Sequence, residues 1–212
     1  MAGNGWTVRE LPSAPTHPDS VFVEAVVMVV DDLAVVTRPG APERRGETAA
    51  VADVAWQLGL RVAEVEDPGT LDGGDVLQVS RTVYVGRGGR TNGEGIRQLG
   101  ALLAPLDRRV VPVELRAVLH LKSAVTALPD GTFVGWPGLV DSAPLGSWRG
   151  APKEPGAHVV PLGGGSVLMA ASAPRTASWL ADPGFDPVVV DISEFEKLEG
   201  CLTCLSVLVP GR

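Results

Sequence analysis

Cysteine and histidine are scarce in this chain, with two cysteines and three histidines in 212 residues. Two cysteines make no disulfide framework in a chain of this size. A metal centre is short of ligands as well, because a structural zinc takes about four such side chains. Long apolar runs are missing too. The longest, around residues 21–30, is broken by Glu24, and none approaches the roughly 18 residues of a membrane span. The opening Met1-Ala2-Gly3-Asn4-Gly5 has neither the basic region nor the apolar core of a signal peptide. Positive charge is in deficit, with 18 basic against 25 acidic residues and a net charge of −7. That balance argues against nucleic acid or an anionic membrane as the main partner. The expectation is a soluble, cytoplasmic protein in a reducing compartment.

What is present suits a substantial core: 45% apolar residues and 20% charged. The expected organisation is a single α/β domain over residues 1–212. Strands are predicted at 6–11, 21–30, 33–37 and 60–65, with a helix over 44–59. In that helix Val51, Val54, Ala55 and Leu58 share one face. The order then repeats. Strands at 75–79, 82–85 and 109–115 flank a helix over 91–103, started by a Thr91/Glu94 capping box. A third unit takes strands 123–128, 132–136 and 158–162. A fourth takes 166–171, a helix over 174–181, and 188–192. This strand-strand-helix-strand period suits units arranged in a ring around a shared core. Residues 201–209 alternate apolar and small side chains, which predicts a closing strand. Cys201 and Cys204 would then face opposite sides, one into the core and one into a cleft.

Few residues can do chemistry. His17 and His158 fall in Pro- and Gly-rich surroundings and are expected at the surface. His120, between Leu119 and Leu121, is either a core histidine or the partner of a thiol. Leu71-Asp72-Gly73-Gly74-Asp75 is either a plain turn or a carboxylate held where the backbone approaches a ligand. Cys201-x-x-Cys204 raises a redox or zinc function, yet redox motifs of this kind open helices and zinc would need further ligands.

Taken together and in order, LDGGD (71–75), RTN (90–92), LHLKS (119–123), SEFEKLEG (193–200) and LTCLSV (202–207) resemble the dimethylarginine dimethylaminohydrolase family. VFVEA (21–25) and TRPGAPERR (37–45) match it as well. The resemblance covers nearly the whole chain and implies a five-bladed α/β propeller of ββαβ units. It implies cofactor-free hydrolysis of asymmetric dimethylarginine and monomethylarginine to citrulline and a methylamine. It implies Cys204 as nucleophile, His120 as acid and base, and Asp72 as the partner of His120 and the guanidinium. Arg44 and Arg90 would hold the substrate α-carboxylate, Asp19 the α-amino group, and Leu198 would offer a backbone carbonyl. Glu24 would lie near the guanidinium, and Cys201 would be structural. Lys122 stands where arginine and agmatine deiminases carry aspartate, which favours a methylated substrate.

Two departures from the family pattern matter. Ala25 replaces an aspartate expected on the guanidinium, a loss worth roughly 2–5 kcal/mol. The family's first strand, covering loop and helix are also missing, so the blade shared between the termini is expected to be incomplete. Besides the methylarginine hydrolase, three readings stay open: a catalytically impaired or non-catalytic binder of arginine-like ligands, an arginine or agmatine deiminase-like hydrolase, and a Cys-x-x-Cys redox or metal protein. The expected partner is a small-molecule substrate, with a homodimer left open.

Overall fold

The structure is a computed structural model that describes residues 1–211. Its framework is four three-stranded sheets, each a hairpin followed by a parallel third strand. The first is β1 (Val27–Val30), β2 (Leu33–Val36) and β3 (Arg61–Glu64), with α1 (Thr48–Gln57) in the crossover. The second is β4 (Val76–Val79), β5 (Thr82–Arg87) and β6 (Arg109–Glu114), crossed by α2 (Gly93–Leu103). The third is β7 (Val125–Ala127), β8 (Phe133–Gly135) and β9 (Trp148–Gly150), with no α-helix in its crossover. The fourth is β10 (Val159–Gly163), β11 (Ser166–Ala170) and β12 (Asp186–Val190), crossed by α3 (Pro174–Ala181). A short helix, α4 (Ser193–Glu196), follows.

The hairpins form where β-branched runs meet a residue able to turn left-handed. Asp31 and Ser80 take φ of 53° in the first two turns, and Gly131 takes 81° in the third. β1 and β2 are buried at every position, so they show no polar alternation. Strands covered on both faces read as continuous apolar runs. Val35, Val85, Val113, Val134 and Val167 are fully buried, one or more in each unit.

The structure corrects several sequence expectations. Residues 21–26 form short 3-10 turns, and the strand begins only at Val27. Residues 158–162 do not close the third sheet, because β10 pairs with β11. The third sheet is instead closed by β9, inside the stretch rich in glycine and proline. The α2 cap is Asn92, whose side chain accepts from the Gly95 N–H at 2.8 Å. Thr91 is buried and serves the site described below. Neither 6–11 nor 201–209 makes a strand. Among the described residues, these segments fill the fifth sector as irregular chain. Leu11, Val207 and Val209 pack on a cluster that includes Val26 and Val29. Trp6 packs near Leu162 and donates its indole N–H to that residue's carbonyl at 2.9 Å.

Candidate active site

Leu71-Asp72-Gly73-Gly74-Asp75 runs into β4 as a 3-10 turn whose five residues are almost all fully buried. Its two glycines are there because neighbours occupy the space a side chain would take. A Cβ on Gly73 would lie 2.0 Å from the Glu24 carbonyl oxygen, and one on Gly74 would lie 2.9 Å from the His120 ring. The turn thus brings together the segment carrying Glu24 and the segment carrying His120.

Asp72 joins them chemically. One carboxylate oxygen lies 2.8 Å from His120 Nε2, and the other accepts the Gly40 N–H at 2.9 Å. The Asp72 side chain is nearly inaccessible and that of His120 is 12% exposed. A buried carboxylate so held fixes the plane and the orientation of an imidazole.

Asp75 works one step further back. Its carboxylate accepts from the Thr91 hydroxyl at 2.5 Å and from the Leu121 N–H at 2.9 Å. The same Thr91 oxygen accepts the Asp72 N–H at 3.1 Å. Burial pushes the Asp75 pKa up from 3.8 to about 6. Sequence reading saw Asp75 as one of two bracketing carboxylates but not this role, because its partners lie in two distant segments.

Glu24 and Lys122 form a buried ion pair, Nζ to Oε1 at 2.5 Å. The second Glu24 oxygen is buried and has no hydrogen-bond partner among the described residues. Burial raises the Glu24 pKa, with Lys122 opposing it. Ala25, next in the chain, is buried beside Val26, Val27 and Val29, and its carbonyl accepts the Thr37 hydroxyl at 2.8 Å. An aspartate there would put a carboxylate against an apolar cluster.

Cys204 lies in a 3-10 turn over Leu202–Leu205, not in a strand. One such turn puts residues three apart on the same side. Cys201 and Cys204 therefore meet, Sγ to Sγ at 3.1 Å, instead of facing opposite ways. Both are free thiols, Cys201 buried and Cys204 half-buried. The hydrogen bond from Cys204 pushes the Cys201 pKa down to about 5. The same bond, together with burial, pushes Cys204 up. The pair releases one proton readily and holds the second. His158, expected at the surface, is buried instead. It lies 2.7 Å from the Ser123 carbonyl oxygen, edge-on to Trp136, and close enough to favour a Cys201 thiolate.

The outer residues are less tightly gathered. Arg44 is buried, with Nε and Nη2 bound to Glu47 and Nη2 also donating to the carbonyls of Asp19 and Phe22. The Asp19 side chain is exposed. The Arg90 backbone packs against Gly40, beside the N–H that holds Asp72. No hydrogen bond or ion pair engages the Arg90 side chain among the described residues. Leu198 is 62% exposed. A cavity of about 420 Å³ touches this region at Glu24, Gly73, Lys122 and Thr203. The rest of its wall is mostly strand residues such as Val29, Leu77 and Val160, and neither His120 nor Cys204 lines it.

No family model matches the chain. Individual proteins do. The dimethylarginine dimethylaminohydrolase of Streptomyces coelicolor is 57% identical over 208 residues, covering 98% of this chain and 81% of that one. That of Pseudomonas aeruginosa is 35% identical, covering 93% and 79%. A crystal structure of a dimethylarginine dimethylaminohydrolase variant in adduct with S-methyl-L-thiocitrulline superimposes with a TM-score of 0.85 at 32% identity. That match covers 95% of this chain and 81% of the other. The four-sheet framework is therefore that of the amidine-modifying α/β propellers. With identity this high over almost all of its length, the chain belongs to the dimethylarginine dimethylaminohydrolase family.

Proposed function

We propose that this protein hydrolyses Nω-methylated arginines, asymmetric dimethylarginine and monomethylarginine, to citrulline and a methylamine. The observation that carries the reading is the buried carboxylate–imidazole pair Asp72–His120, which the Gly73-Gly74 turn joins to the segment of Glu24, the carboxylate whose charge reaches the half-buried Cys204. A guanidinium entering here meets two carboxylates, of which Glu24 has one oxygen without a partner. Its positive charge offsets the effects that push the Cys204 pKa up, and the thiol proton passes to the His120 imidazole as the thiolate forms.

The chemistry then follows. The Cys204 sulfur attacks the guanidinium carbon, forming a C–S bond. His120 delivers a proton to the methylated nitrogen, the C–N bond breaks, and the methylamine departs. The neutral imidazole next takes a proton from water, whose oxygen attacks the thiouronium carbon. Collapse releases citrulline and returns the thiolate. Every proton is carried by His120, so no cofactor is required. Arg44 and Arg90 would take the α-carboxylate, Asp19 the α-amino group and the Leu198 carbonyl a further hydrogen bond. Lys122, bound to Glu24, supplies no carboxylate for an unsubstituted guanidinium end, which favours methylated substrates over arginine.

Citrulline release from asymmetric dimethylarginine, compared with Cys204→Ser, tests this. The variant is expected to lose at least about a thousandfold in kcat while still binding the substrate in calorimetry. Undiminished turnover would remove Cys204 from the mechanism. Two free thiols fit a reducing compartment such as the cytoplasm. No helix of the described residues is long and apolar enough to cross a membrane. A homodimer would be read from light scattering.

A further inference from the structure

We propose that Cys201 and Cys204 form a reversible thiol–disulfide couple that closes the active site under oxidation. This rests on the reading of Cys204 as the nucleophile. The geometry comes from the 3-10 turn. The Cys204 N–H donates to the Cys201 carbonyl at 3.1 Å, and the two sulfurs stand 3.1 Å apart. A disulfide needs them about 1 Å closer, which side-chain rotation within one turn can supply. The roles differ by access. Cys204 is half-buried and meets solvent, whereas Cys201 is buried, with the Thr203 hydroxyl at 3.2 Å from its sulfur. The chain has no third cysteine to compete.

With a hydroperoxide as oxidant the step balances. The proton held by the pair shifts across the sulfur contact to Cys201, the Cys204 thiolate so formed attacks one peroxide oxygen, the O–O bond breaks, and hydroxide leaves a sulfenic acid on Cys204. The Cys201 thiolate then attacks the Cys204 sulfur, forming S–S and expelling a second hydroxide. The two hydroxides take up the two thiol protons. Both sulfurs are oxidised by one electron each and the peroxide is reduced by two. A small-molecule dithiol reverses the step by exchange. The buried sulfur thus protects Cys204 from oxidation beyond the sulfenic state, at the cost of temporary inactivity.

The test uses the whole protein, fully reduced and then exposed to hydrogen peroxide, beside Cys201→Ala and Cys201→Ser. Each variant is referred to its own reduced activity. Both cysteines fall on one tryptic peptide, 198–212, so the disulfide reads as a loss of two hydrogen masses and of both alkylation sites. The wild type is expected to show that peptide, to lose at least tenfold in citrulline release, and to recover with dithiothreitol. Both Cys201 variants are expected to gain oxygen atoms on Cys204 and to stay inactive. A wild-type peptide that gains oxygen without losing the two hydrogens overturns the couple. Equal recovery of the Cys201 variants overturns it as well. A disulfide formed with citrulline release unchanged would instead overturn Cys204 as nucleophile.

Discussion

At the scale of single residues, the site depends on charges that are buried and paired. Asp72 divides its two oxygens between His120 and the Gly40 N–H. Asp72→Asn can keep the second bond and the shape, but not the negative charge beside the imidazole. The expected outcome is a fall in kcat of about 10²–10⁴, the range for loss of a positioned acid–base group, with KM little changed. Steady-state kinetics with asymmetric dimethylarginine would show it. Lys122 presents the converse case. Its removal would leave the Glu24 carboxylate buried without its counter-charge. Lys122→Met should therefore destabilise the fold by roughly 3–5 kcal/mol, read from urea denaturation. It should also raise the Glu24 pKa further, since Lys122 is the main influence opposing burial there. The Asp72–His120 contact was legible through the family resemblance, which paired the two, whereas their residue types alone left each open between a structural and a chemical role. Asp75, Thr91 and the sulfur contact were not, since each depends on a local shape that periodicity misreads. Thr91 looked like a helix cap, and Cys201 to Cys204 looked like a strand.

At the scale of elements, Asp75 ties the start of the α2 segment, through Thr91, to the loop after β6, through Leu121. The bonds hold His120 in place from behind, so Asp75 is a positioning residue. Its pKa also couples that junction to pH. The folded value, about 6, lies above the ordinary 3.8, so between these values the folded state binds more protons than the unfolded state. The contribution is fully present below about pH 4 and is lost as pH rises through about 6, with roughly 3 kcal/mol at stake. Asp75→Asn should remove this dependence. Its urea midpoint, relative to wild type, is expected to rise between pH 4 and pH 7, and a constant difference would show that Asp75 does not titrate in that window. The elements themselves were well marked where apolar runs meet turn residues, as at Asp31–Asp32 and Pro129–Gly131. They failed in the third unit, where β9 is only three residues long and carries Trp148, Arg149 and Gly150, a pattern too short to show a period.

At the scale of the molecule, four sheets share one plan while the fifth sector, among the described residues, has side-chain packing without a ladder. Each middle strand, β2, β5, β8 and β11, is hydrogen-bonded on both edges. Residues 6–11 and 206–211 have few such bonds, with Ser206 joined to Thr203 at the long distance of 3.5 Å. Protection against hydrogen exchange follows the opening of these bonds, so the middle strands should exchange slowest and the two irregular segments fastest. The candidate-site segments 19–25 and 198–206 lie next to that sector, and Phe22 packs directly on Gly200. Ligand bound to Glu24 and Cys204 would hold these segments together across it. Added methylarginine analogue is therefore expected to slow exchange in 19–25 and 198–206 by tenfold or more at saturation, while β9, paired with β8 and packed in a cluster that holds neither segment, changes little. Uniform slowing over all four sheets would mean that the molecule opens as one unit and that the fifth sector is no weaker than the rest.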